Sequence, residues 1–253
     1  MRYPKYRGLA GLLSMALFRL PLLFNKKITF WKLLGCGKNG TFDIHPDWRQ
    51  YAVLVVGSWQ SAVTSYQLPV ARSKSSVKRQ DTANCLLPPA NCQLIYGSFI
   101  TRWWHFFKCE TYTIILKPIE GYGCWDGKKI FGDIPKETEY DGLIAVLTRA
   151  TIRLKRLRNF WQYVDSIASK TPGAKGLILS AGIGELPWIK QGTFSVWRSK
   201  EHMKAFAYQM HEHIEVIQKT RQENWYSEEM FIRFKPVAAF GSLKGINPLD
   251  GKL

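Results

Sequence analysis

The chain has 253 residues, enough for one large domain or two packed half-domains, each with its own core. Its 46% hydrophobic and 22% charged residues are an ordinary globular balance, which excludes wholesale disorder. Lys and Arg outnumber Asp and Glu by 36 to 19, a net charge of +17, yet no helix-turn-helix, zinc-finger or aromatic ribonucleoprotein motif is present, so nucleic acid is not an expected partner.

The surplus charge suits anionic lipid head groups or an anionic cofactor. Residues 1 to 42 hold eight basic residues and no acid, and a second cluster comprises Arg149, Arg153, Lys155, Arg156 and Arg158. Aromatic residues reach 14%, with ten Trp, which suits a protein enclosing a large apolar ligand. The five Cys, at 36, 85, 92, 109 and 124, form no C-x-x-C pair and no zinc or disulfide framework, as expected of a reducing cytoplasm.

Gly8 to Phe24 is apolar except for Ser14 and Arg19, and it follows Arg2, Lys5 and Arg7. It resembles a leader at first sight, but no small-x-small cleavage site follows, and Arg19 interrupts the run before it could span a bilayer. Leu9, Leu12, Leu13, Ala16, Leu17 and Leu20 fall on one helical stripe, which reads as an amphipathic helix facing the core. Strands are expected over 28–36, closed by a Gly-rich turn, then over 51–56 and 112–118. Gly35, Gly37 and Gly40 match no phosphate-loop pattern and serve the turn. Residues 73–98 show neither period, and read as an irregular insertion or a locally altered reading frame. Residues 120–136 are turn-rich and read as a linker.

The second half is clearer. A strand over 143–152, a helix over 157–170, strands over 176–183 and 189–197, a helix over 199–221 and a strand over 230–238 follow in order. This is the split βαβ order called ferredoxin-like. The first half reads as a second copy whose first strand is missing or reduced to a few residues around Met1 to Tyr3. Residues 1–136 and 137–253 are therefore the expected halves.

Five stretches in register are similar to the spheroidene monooxygenase family: FWKLLGCGKNGTF (30–42), TYTIILKPIEGYGCWDG (111–127), IAVLTRATIRLKRLRNFW (144–161), GIGELPWIKQGTFSVW (182–197) and MKAFAYQMHEHIEVIQKTRQENWYSEEMFIRFKP (203–236). The resemblance spans nearly the whole chain apart from residues 57–108 and the first few residues. It implies an α+β fold of two ferredoxin-like repeats in a dimeric α+β barrel. It further implies haem- and dioxygen-dependent hydroxylation, and onward oxidation to a ketone, of a carotenoid or similar apolar polyene. A ferredoxin-type carrier would supply electrons. The basic surface and apolar N-terminal helix would suit a cytoplasmic protein peripheral to the inner membrane.

Haem b would need an axial ligand. His213, on the apolar stripe of the 199–221 helix and where the family motif around AFAY also places a His, is the candidate for the iron. The alternative is a buried neutral His bonded to a carbonyl. Arg149 and Arg233, each flanked by apolar residues on a strand, are candidates for the haem carboxylates or for structural ion pairs. Glu185, read at a hairpin tip, could relay protons or simply be solvated. Trp225 and Tyr226, after the long helix, could wall the pocket or pack against the barrel end. No Ser-His-Asp order, H-E-x-x-H or paired-carboxylate pattern offers hydrolysis. A non-enzymatic haem or lipophile carrier and a cofactor-free barrel monooxygenase are the competing readings.

Overall fold

Pro21 divides the N-terminal apolar segment in two. Its ring has no N–H to give and crowds the carbonyl four residues back, so one continuous helix is not tolerated. In a computed structural model of the chain, α1 (Gly8–Leu17) ends at Phe18 and α2 (Arg19–Phe24) starts beyond it. The structure describes residues 1–38, 45–57, 95–170, 173–209, 219–220 and 222–253.

The expected orientation of α1 is overturned. Ala10, Gly11 and Ser14 are its buried residues, whereas Leu9, Leu12, Leu13, Leu17 and Leu20 all face outward. The reason is steric. A Cβ on Gly11 would run into the Tyr51 ring, so the helix lies close on β2 (Pro46–Gly57) through its small residues. Phe18 and Leu22 supply the buried anchors of the segment.

Among the described residues seven strands form one antiparallel sheet: β1 (Ile28–Gly37), β2, β3 (Tyr112–Gly123), β4 (Ile144–Ile152), β5 (Leu177–Leu186), β6 (Lys190–Trp197) and β7 (Tyr226–Gly241). Their order is β2-β1-β5-β6-β4-β7-β3. A short pairing of Gly35 with Gly184 and Cys36 with Ile183 joins β1 to β5. The outer strands β2 and β3 meet through Arg2, which bridges antiparallel to Gln50 on one side and to Glu110 on the other. The Arg2 N–H donates to the Glu110 carbonyl at 2.7 Å, and the Arg2 carbonyl accepts from the Glu110 N–H at 2.9 Å. The sheet therefore curls back on itself, with Arg2 bridging between its two edge strands.

Among the described residues three further helices cover the outside: α3 (Ser98–Phe106), α4 (Leu157–Lys170) and α5 (Lys200–Gln209). Helix α3 was not foreseen, although Ile100 and Trp104 at i, i+4 are its buried pair. The expected linker also changes, because residues 120–123 continue β3 to Gly123. Gly121 and Gly123 adopt φ of 147° and 96°, and a side chain at either would strike the β7 backbone. β7 begins at Tyr226, four residues ahead of its expected start. Residues 73–94, and the part of the expected 199–221 helix over 210–218, lie outside the described residues.

Candidate functional site within the barrel

Alternation along the strands places one set of side chains inside the barrel. Leu34 and Cys36 of β1, Leu147 of β4, Ala181 and Ile183 of β5, Phe194 of β6 and Phe234 of β7 all turn inward. With residues 50–57 of β2 and 111–116 at the start of β3, they line a cavity of about 450 Å3. Tyr96 and Trp104 approach it from the α3 side, stacked edge to face with ring centres 5.0 Å apart. The wall is largely aliphatic and aromatic, with few polar groups, which is the usual build of a pocket for an apolar ligand.

Those polar groups are specific. Burial pushes the Cys36 thiol up to about 11, so it is neutral near pH 7. The Tyr112 hydroxyl, pushed up to about 12 by burial, donates to Asn247 at 2.9 Å. Among the described residues Arg2 is the one cationic side chain on the lining, and its Nε is buried without a hydrogen-bond partner. Gln50 lines the same cavity.

Two residues further along the same inward faces, the side chains become charged. Lys32, Arg149 and Glu185 follow Leu34, Leu147 and Ile183 in this way. Glu228 of β7, Lys190 of β6 and Asp126 from the turn after β3 complete a layer of three cations and three carboxylates. Arg149 is 2% exposed and bonds Glu228, with Glu185 at 3.4 Å and Asp126 at 3.5 Å. Glu185 also accepts from Lys32 at 2.6 Å and from the Trp125 indole N–H at 2.7 Å. Burial opposes ionisation of Asp126, but Lys190 and Lys32 outweigh it and hold the carboxyl at about 2. The layer closes one end of the barrel without net charge.

The five described candidates are thus distributed over three places, and none lines the cavity. Arg149 and Glu185 come together in the charged layer, with Glu185 ending β5 rather than capping the hairpin. Arg233 faces the other side of β7, where it bonds the fully buried Glu120. Lys200 of α5 reaches the same carboxylate at 3.0 Å, and the Thr138 backbone N–H donates to it at 2.6 Å. Burial works against the charge on Glu120, and Arg233, Lys200 and Thr138 overcome it, holding the carboxyl at about 2. Trp225 is fully buried against Phe160 and Tyr163 under α4, its N–H donating to Glu223 at 2.9 Å. Burial pushes the adjacent Tyr226 hydroxyl up to about 12. His213 lies outside the described residues.

Sequence reasoning missed the lining itself. The alternation of Leu34 with Cys36, and of Tyr112 with Ile114 and Leu116, was the available signal.

For haem, the described lining offers an apolar slot and, in Arg2, a cation for a carboxylate. It offers no His among the described residues, and Cys36 is a neutral thiol. No group of three or more His, Cys, Asp or Glu able to hold a metal ion occurs among them. The described residues therefore do not complete an iron site.

Fold and cavity together define an α+β barrel built around an apolar internal chamber. Spheroidene monooxygenase from Rhodobacter capsulatus is 30% identical over 243 residues, covering 95% of this chain and 88% of the relative. The chain belongs to the spheroidene monooxygenase family. The enzyme of that name from Cereibacter sphaeroides is 29% identical over 241 residues, covering 95% of this chain, and this chain spans 65% of its length. That from Rubrivivax gelatinosus is 28% identical over 227 residues, covering 89% and 75%. No protein-family model matches the chain. A solved structure from Fusobacterium nucleatum subsp. nucleatum aligns over 95% of this chain and 91% of its own, at 8% identity and a TM-score of 0.38.

Proposed function

We propose that the protein is a monooxygenase that oxidises a carotenoid or similar long apolar polyene held inside the barrel. The observation that carries this reading is the apolar chamber of about 450 Å3, in a chain of the spheroidene monooxygenase family. One oxygen atom of dioxygen enters a C–H bond to give an alcohol. The other leaves as water, formed with two electrons from two one-electron, ferredoxin-type carriers and two protons from solvent. A second round at the same carbon gives a geminal diol, which loses water to yield the ketone.

In this account the wall residues Leu34, Ile183, Phe194 and Phe234 bind the polyene through its apolar surface and exclude water from it. The charged layer of Arg149, Glu185 and their partners blocks one end and limits how far the chain can enter. Haem b, with His213 as its iron ligand, is the proposed cofactor. When bound it supplies the dioxygen chemistry. Two ferredoxin-like repeats, residues 1–136 and 137–253, are the proposed architecture. Support comes from the order β5-β6-β4-β7 in one half and β1-β2-Arg2-β3 in the other. A homodimer is proposed by analogy with barrels of this type.

The test uses purified protein reconstituted with haem, an acyclic carotenoid in detergent, reduced ferredoxin and dioxygen. A product heavier by one oxygen atom, formed only with dioxygen and reductant, supports the reading. A Soret band that survives gel filtration and is lost in His213→Ala supports the cofactor. Haem binding without product makes the protein a carrier, and product without haem makes it a cofactor-free oxygenase.

A further inference from the structure

Helices α1 and α2 carry all their leucines except Leu22 outward. Leu9 is 72% exposed, Leu20 59%, Leu23 66% and Phe24 75%, with Leu12, Leu13 and Leu17 also exposed between them. Helix α3 lies alongside in the opposite direction. Phe18 meets Phe99 near the start of α3, with ring centres 6.4 Å apart, and Arg7 donates to the Phe106 carbonyl near its end at 3.0 Å. Phe99 and the 73% exposed Phe106 extend the apolar surface onto that helix. Single exposed leucines are ordinary, but a run of them on adjoining helices marks an interaction surface.

Charge identifies what the surface meets. Residues 1–38 and 95–109 contain no Asp or Glu. Lys5, Arg19, Lys26, Lys27, Arg102 and Lys108 are exposed around the apolar run, and none of them pairs with a carboxylate among the described residues. Ser14, the polar residue within α1, turns inward and donates to the Gly11 carbonyl at 2.6 Å, so this helix presents no hydrogen-bonding side chain to orient a protein partner. Apolar side chains at the centre and long basic side chains at the margin match the boundary between acyl chains and anionic head groups. No helix among the described residues is long and apolar enough to cross a membrane. The segment instead lies along the barrel wall, with Phe18 and Leu22 buried in the core.

We propose that the face formed by α1, α2 and α3 docks the protein on an anionic lipid bilayer, with the exposed leucines inserted and the surrounding cations on the head groups. Because Tyr96 and Trp104 of the α3 region line the barrel chamber, the docked face is also the one nearest an apolar ligand dissolved in the bilayer.

The test is flotation of the full-length protein with phosphatidylcholine vesicles containing about one third phosphatidylglycerol, beside vesicles of phosphatidylcholine alone. The paired variants Leu13→Gln/Leu20→Gln and Lys26→Gln/Lys27→Gln replace exposed side chains, and circular dichroism and melting temperature establish that each folds. The protein is expected to float with the anionic vesicles, less so as salt rises. The leucine pair should weaken binding roughly tenfold, and the lysine pair about 25-fold at about fivefold per cation. No flotation with anionic vesicles overturns the proposal, as does flotation that neither pair alters. A dimer in solution that the leucine pair dissociates, without vesicle binding, assigns the face to a second copy instead. Binding to an acidic protein such as a ferredoxin, lost in the lysine pair without vesicle binding, overturns it equally.

Discussion

The guanidinium of Arg149 lies 5.3 Å from the centre of the Trp125 ring, and the indole N–H of that ring donates to Glu185, which faces the same guanidinium. The cation is thus held on one side by π-electrons and on the other by carboxylates, at a depth where it is 2% exposed. Removing it leaves Glu228 and Glu185 partly unpaired. Arg149→Leu is expected to cost about 3–5 kcal/mol in urea unfolding. Arg149→Lys should recover only part of this, because an ammonium cannot reach several carboxylates at once through a planar fork. Equal stability of all three proteins would show that the layer carries no strain-free pairing of this kind.

Acid should expose the second buried network. Glu120 is held at about 2, well below the ordinary glutamate value of 4.5, so its contribution is fully present above about pH 4.5 and is lost as pH falls through about 2. Asp126 adds to this in the same direction over the same window. In Arg233→Gln a main cationic partner of Glu120 is gone, its carboxyl rises, and the acid-unfolding midpoint followed by circular dichroism should move to higher pH. An unchanged midpoint would mean that Lys200 and Thr138 suffice alone.

Gly11 decides how closely α1 approaches β2. Gly11→Leu should destabilise the fold by about 1–3 kcal/mol through overpacking against Tyr51, whereas Leu13→Gln, about half a turn away on the outer face, should change stability by less than about 0.5 kcal/mol. The reverse ranking would restore the leucines to the core.

That contrast shows how far the sequence could be read. Strands β4, β5 and β6 and helix α4 stand within about three residues of where their hydrophobic runs place them, because both faces of these strands pack and their ends are marked by turns. The leucine stripe on α1 was equally visible, but periodicity reports that a helix has an apolar side and not which way it points. Direction was set by Gly11, Ala10 and Ser14 against Tyr51, a contact between segments 40 residues apart in sequence. For the same reason Arg149 and Glu185 were each noticed, while their meeting with Lys32, Asp126 and Glu228 depends on three other strand and turn positions. The chamber was least legible, since Cys36, Gln50 and Tyr112 look like ordinary strand residues until the barrel closes around them.

Turnover under 18O-labelled dioxygen shows whether the polyene is oxidised inside the barrel, with an acyclic carotenoid as substrate and the wild-type protein compared with Ala181→Phe. Ala181 lines the chamber and is partly buried, so the larger ring fills space that the polyene would occupy. The wild type should place one labelled atom in the product, and the variant, folded by circular dichroism, should do so at least about tenfold more slowly with no matching loss of stability. Label entering the product at the same rate in both proteins would place the reaction outside the barrel.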